Sequence, residues 1–176
     1  DPFSLIHPAA QEEPDVVAST IAILRHRNDQ RWYTAAHAAA QKHPEDLRFR
    51  QWSAEATLEP ILSDTGLLVG KPPSAGQMEA VRNAADALLS VWEKLSDDEA
   101  PDREPHSALA QNTAAALRFC HRTEEAAAVI DKALMRLGAV PALVRIRALL
   151  YVHDDQDEQA IRVLGDEHAT DPELAL

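Results

Sequence analysis

The chain has 176 residues and a mass of 19.3 kDa, with 45% apolar and 26% charged residues. That is enough for one domain that buries roughly 70% of its unfolded surface, and too little for two large domains. The 29 Asp and Glu outnumber 17 Lys and Arg, for a net charge of -12. A surface of that sign repels phosphate backbones and anionic lipid, which argues against nucleic acid and membrane as partners. No run approaches the ~18 apolar residues of a membrane span, and no signal-peptide pattern is visible. Cys120 is the single cysteine, so there is no internal disulfide, and a reducing, cytoplasmic setting is expected. The 32 Ala against 5 Gly, with no alternating apolar and polar run, predict an all-α protein.

In chain order, residues 1–13 read as an extended lead-in, with Pro2 and Pro8. The first helix starts at Pro14, a good first-turn residue, and carries Val16, Val17, Ile21 and Leu24. It stops near Asn28–Asp29, where Asp29 can cap the second helix. That helix carries Trp32, Ala36 and Ala39 and ends before Pro44, because the residue before proline resists the helical region. A third helix runs from after Asp46 to about Leu62. Residues 63–76, with two prolines and three glycines, predict an inserted loop. A fourth helix is predicted over 77–95 and a connection over 96–105. Four more follow at about 106–121, 123–137, 141–153 and 156–168, with Thr123 as cap of the sixth and Asp154–Asp155 splitting the last two.

The second half repeats itself. Ala126 and Ala160 are 34 residues apart, and the same spacing relates Ala114 to Ala148, Leu117 to Tyr151, Ile130 to Leu164 and Gly138 to Pro172. Counted from Ser107, small residues fall at positions 8, 20 and 27 as Ala114, Ala126 and Ala133. Counted from Pro141, Ala148 and Ala160 fill the first two, and Glu167 departs at the third. In this the chain resembles the tetratricopeptide repeat family, whose unit is two antiparallel helices. Small residues there let paired helices approach closely. The resemblance implies an α-solenoid of antiparallel helix pairs, a right-handed superhelix of about eight helices in one domain over 1–176. Residues 107–174 hold two well-matched units and 13–96 two degenerate ones, begun at Glu13 and Leu47, the latter interrupted by the 63–76 loop. An irregular Ala-rich bundle is the other arrangement open to such a sequence.

Reactive chemistry finds little support. The stretch GLLVGKP at 66–72 is one residue short of a phosphate-binding loop between its glycines, and Pro72 stands where a hydroxyl would reach magnesium. The eight histidines form no HExxH, and the acidic run from His153 to Glu158 lacks the central Gly of a calcium loop. Cys120 lies beside His121 and Arg122 but reads as a small buried residue. No nucleophile, base and orienting group occur together. Neither a cofactor nor a catalytic role is expected.

The family resemblance implies a ligand-facing wall on the first helix of each unit. Carried onto this chain, it consists of Val17, Ile21, Leu24 and Arg25; Arg48, Gln51, Glu55 and Leu58; Gln111, Ala115, Arg118 and Phe119; and Arg145, Leu149, Val152 and His153. Each unit offers one Arg there, and guanidinium forks hold carboxylates at two points. The partner of these arginines is either an acidic peptide or an internal carboxylate such as Glu55. The stretch 25–50, with six Lys and Arg against three Asp and Glu, is either ordinary solvated helix or a docking patch for an acidic partner. Asn112 stands where the carboxylate-clamp members of the family place Asn, but Ala142 and Ile146 stand where they place Lys and Arg. That speaks against the acidic tails of heat-shock proteins. The expectation is a noncatalytic interaction module or scaffold binding a protein or peptide. The rivals are an accessory region of a larger multidomain enzyme and a self-associating helical protein. The opening at Asp1 and the helix-like ending DPELAL predict a piece of a longer chain.

Overall fold

In a computed structural model, residues 13–64, 73–96 and 103–170 are described, and they form eight α-helices with no strand among them. These are α1 (Pro14–His26), α2 (Arg31–Lys42), α3 (Leu47–Asp64), α4 (Ala75–Leu95), α5 (Arg103–Phe119), α6 (Thr123–Leu137), α7 (Pro141–His153) and α8 (Asp157–Thr170). The all-α expectation holds. The lead-in through residue 12, the glycine stretch 66–72, most of the 96–105 connection and the DPELAL ending lie outside the described residues. The chain divides into two compact units, one up to Val91 and one from Trp92, a division that falls inside α4.

Local chemistry explains the helix ends. Before α4, Ser74 Oγ accepts the Gln77 N–H at 3.2 Å, and Gln77 Oε1 accepts the Ser74 N–H at 2.8 Å. This reciprocal capping box starts the helix at Ala75 and carries Gly76 into its first turn. α5 begins at Arg103, ahead of the predicted 106, because Pro105 sits in the first turn, where a missing N–H costs nothing. Thr123 does not cap α6; it is the first helical residue, and no side chain caps that end. Instead the Arg122 guanidinium holds Glu125 through two 2.7 Å bonds, keeping that carboxyl below its ordinary range.

One turn recurs three times. Asn28, His121 and Asp155 all adopt left-handed φ, at 51°, 61° and 57°. The following N–H returns to a carbonyl five residues back: Asp29 to Leu24 at 3.0 Å, Arg122 to Leu117 at 2.9 Å and Gln156 to Tyr151 at 2.9 Å. These bonds satisfy carbonyls that the helix leaves open, as in a Schellman ending. His121 and Asp155 are themselves 34 residues apart, so the period seen in the alanines also governs the turn.

In the first unit, α1 packs on α2 and α2 on α3. Ile21, Trp32, Ala36 and Phe49 centre its core, with Trp52 against the edge. Two entry motifs match. Asp29 Oδ1 accepts the Arg31 N–H at 3.1 Å while its carboxylate binds the Arg31 Nε at 2.9 Å. Asp46 Oδ1 likewise accepts the Arg48 N–H at 2.9 Å and the Arg48 Nε at 3.1 Å. The Arg31 side-chain bond and then its backbone N–H hold the Asp29 carboxyl down to about 2. A carboxyl lowered in the folded state stabilises it fully above the unfolded value of about 4 and loses that contribution as pH falls toward 2. We therefore expect Asp29→Asn to flatten part of the fall in stability between pH 4 and pH 2, read by urea unfolding at each pH; parallel curves would contradict the pairing.

In the second unit, α5 packs on α6 and on α7, α6 on α7, and α7 on α8. Ala114 and Ala148, and Ala126 and Ala160, are buried in matching places, 34 residues apart. Arg147 joins α7 to α6 by an ion pair to Asp131 at 2.7 Å, with its guanidinium 4.0 Å from the Tyr151 ring centre.

Candidate functional site

The expected lining residues fall into two groups. In the first unit the wall does not exist as the register placed it. Val17, Ile21, Leu24 and Leu58 are core residues, and Glu55 is buried. The turn at Asn28 shows why for α1. Aligned on His121, it moves the register of that helix by one residue, from Glu13 to Pro14. Ala18, Ala22, Arg25 and His26 then take the lining positions; Ala22 and His26 are exposed, while Ala18 stays in the core. α2 keeps the register begun at Glu13. Its buried Trp32, Ala35, Ala36 and Ala39 repeat the spacing of Ala126, Val129, Ile130 and Ala133 in α6.

The first-unit cations have internal partners. Arg25 Nη2 lies 2.8 Å from Glu55 Oε2, and its guanidinium carbon stands 4.7 Å from the Trp32 ring centre. Gln51 Nε2 donates to Glu55 Oε1 at 2.9 Å. Arg48 Nη1 reaches Asp15 at 2.9 Å and Arg48 Nη2 reaches Asp46 at 2.7 Å, and the side-chain bond from Arg48 keeps the Asp46 carboxyl low. Of the two destinations open to these arginines, the internal carboxylate is the one occupied at Arg25 and Arg48. Arg31 is also held by Asp29, so three of the six cations in the stretch 25–50 pair with carboxylates.

The second unit differs. Gln111 Nε2 donates to Ser107 one turn back at 3.1 Å, and Asn112 is half-buried on α5. Arg118 is half-buried and, among the described residues, makes no hydrogen bond or ion pair. Phe119 is half-buried beside it at the end of α5. On α7, Arg145 is exposed, and among the described residues its one bond is from Nε to the Pro141 carbonyl at 3.3 Å. Leu149 (54% exposed) and Val152 follow Arg145 at spacings of four and three, so the three share one helix face. Because α5 packs on α7, two uncommitted guanidiniums and exposed apolar side chains belong to adjoining helices. Cys120 is half-buried in the turn after α5, where the sequence predicts a small buried residue.

The described residues contain no group of three His, Cys, Asp or Glu able to hold a metal ion, and no helix long and apolar enough to cross a membrane. His37 Nδ1 lies 2.8 Å from Ser53 Oγ. Ser53 sits mid-helix in α3, where neighbouring N–H groups are committed to the helix and cannot stabilise an oxyanion. The contact is therefore polar packing between α2 and α3. Sequence reasoning missed a cavity beside it, walled by alanines of α2, α3 and α4 with Arg50 on its lining. No family model matches the chain, and no curated protein and no solved structure is significantly similar to it.

Proposed function

We propose that the second unit is a noncatalytic, tetratricopeptide-like interaction module. In this reading α5–α6 and α7–α8 are antiparallel pairs stacked as consecutive turns of a right-handed superhelix. The face carried by α5 and α7 receives an acidic peptide. The observation that carries the reading is the contrast between the arginines: Arg25 and Arg48 are spent on internal carboxylates, whereas among the described residues no carboxylate pairs with Arg118 or Arg145. Support also comes from the buried alanines and the left-handed turn, both repeating at 34 residues, and from α5 packing on α7. Arginine supplies two-point recognition of carboxylates, and Leu149 and Val152 supply apolar surface between the charges.

The test is fluorescence anisotropy with a labelled peptide of alternating Glu and Leu, and a Lys-for-Glu version as control. Arg118→Ala with Arg145→Ala is expected to weaken the acidic peptide at least about tenfold, with the folded fraction unchanged. Binding is expected to fall as salt screens the pairs. Equal binding by the double variant, or by the Lys peptide, would remove the proposal. Self-association is favoured by a separate observation: Ile161 and Leu164 are exposed one turn apart on α8. Light scattering across a concentration series, with Ile161→Ser as the comparison, decides that reading.

A further inference from the structure

The cavity in the first unit has a volume of about 410 Å³ and opens to solvent. That lies within the roughly 300–1,000 Å³ of small-molecule sites. Five of its nine lining residues are alanines, and their small side chains leave the space: Ala80, Ala84 and Ala87 lie on one face of α4, with Ala40 of α2 and Ala54 of α3 also on the lining. The other four are Arg50, Ser53, Thr57 and Asn83. In a chain of net charge -12, this recess carries one cation and no acid.

Its polar groups are unevenly committed. Thr57 Oγ1 donates to the Ser53 carbonyl at 3.1 Å, and Ser53 Oγ is engaged by His37. Arg50 is half-buried, yet it donates a single bond, from Nη2 to the neutral Ser90 hydroxyl at 3.2 Å. Among the described residues no carboxylate pairs with it, unlike Arg25, Arg31 and Arg48. A guanidinium has five N–H donors, and a partly desolvated one without an anion is costly. Asn83, an exposed residue of α4, lines the same space and has no hydrogen bond among the described residues.

We propose that this cavity binds a small organic acid, its carboxylate on Arg50 and Asn83 and its apolar body against the alanine walls. One guanidinium matches a monoanion; a phosphate ester, which carries more charge, has no second cation here. The space holds roughly a dozen waters at liquid density, which suits an acid of about that many non-hydrogen atoms and far exceeds one Asp or Glu side chain. This site is independent of the peptide face on α5 and α7.

The test uses the full chain, labelled with 15N, titrated with benzoate, hexanoate, benzamide, phenyl phosphate and a short Glu-containing peptide. Benzoate and hexanoate are expected to shift amides over 50–57 and 80–87, with benzamide at least tenfold weaker. Arg50→Gln is expected to abolish the shifts. Ala87→Leu, which fills the recess and leaves Arg50 in place, is expected to do the same, so the outcome stands even where Arg50→Gln disturbs folding by circular dichroism. Equal binding of benzamide, tighter binding of the phosphate or the peptide, unchanged binding by Ala87→Leu, or no shift with either acid would overturn the proposal.

Discussion

Ile130→Ala is expected to destabilise the second unit by about 2–5 kcal/mol, whereas Leu164→Ala is expected to stay within about 0.5 kcal/mol. The two residues are 34 apart and hold equivalent places in α6 and α8. Ile130 is 0% exposed and Leu164 is 37% exposed. The difference has a simple cause. α7 packs over α6, so truncating Ile130 leaves a void, while Leu164 already faces solvent on one side. Urea unfolding followed by circular dichroism measures both, and hydrogen exchange of α6 amides locates the loss. Similar effects from the two truncations would mean that the stacking of α7 on α6 does not protect Ile130.

The second large effect concerns Arg25 and Glu55. Glu55 is 6% exposed and Arg25 is 34% exposed. Arg25→Met is expected to cost about 2–4 kcal/mol, somewhat under the 3–5 kcal/mol typical of a fully buried pair because the arginine is partly hydrated. The loss comes from a carboxylate left in the interior without the cation that offsets its desolvation, although Gln51 still donates to it. Adding Glu55→Met is expected to restore most of the stability, since two apolar side chains of similar size pack where two charges had to be desolvated. Equilibrium unfolding of the two single variants and the double variant supplies the cycle. A double variant as unstable as the sum of the singles would show that the pair does not act as a unit.

The helices were legible because their ends carry chemistry. Pro14 and Pro141 open helices, Pro44 closes one, and Asp29 receives the Arg31 N–H as its position implied. The start of α4 was not legible. Gly76 and the prolines before it outweighed the Ser74 and Gln77 box, whose two bonds decide the matter. The one-residue shift in α1 is not legible in the sequence, because Asn28, His121 and Asp155 share a backbone conformation and no residue type.

The candidate site was legible only in part, for a related reason. An apolar stripe on a first helix reads alike whether it lines an open wall or a core, so Val17, Ile21 and Leu24 could not be told from Leu149 and Val152. Arginine type is equally silent about partners. Arg25 and Arg118 look alike in sequence, and only the placement of Glu55 separates them. The cavity beside Arg50 is made of what alanines lack, and a sequence does not display missing volume.

The most direct measurement is amide chemical-shift mapping of the 15N-labelled chain with the Glu–Leu peptide, repeated on the variant carrying Arg118→Ala and Arg145→Ala. The expected result is a contiguous set of shifts at 115–119 on α5 and 145–153 on α7, lost in the variant. Shifts gathered in the first unit, or shifts on α5 and α7 that survive loss of both arginines, would contradict a recognition face built on those two helices.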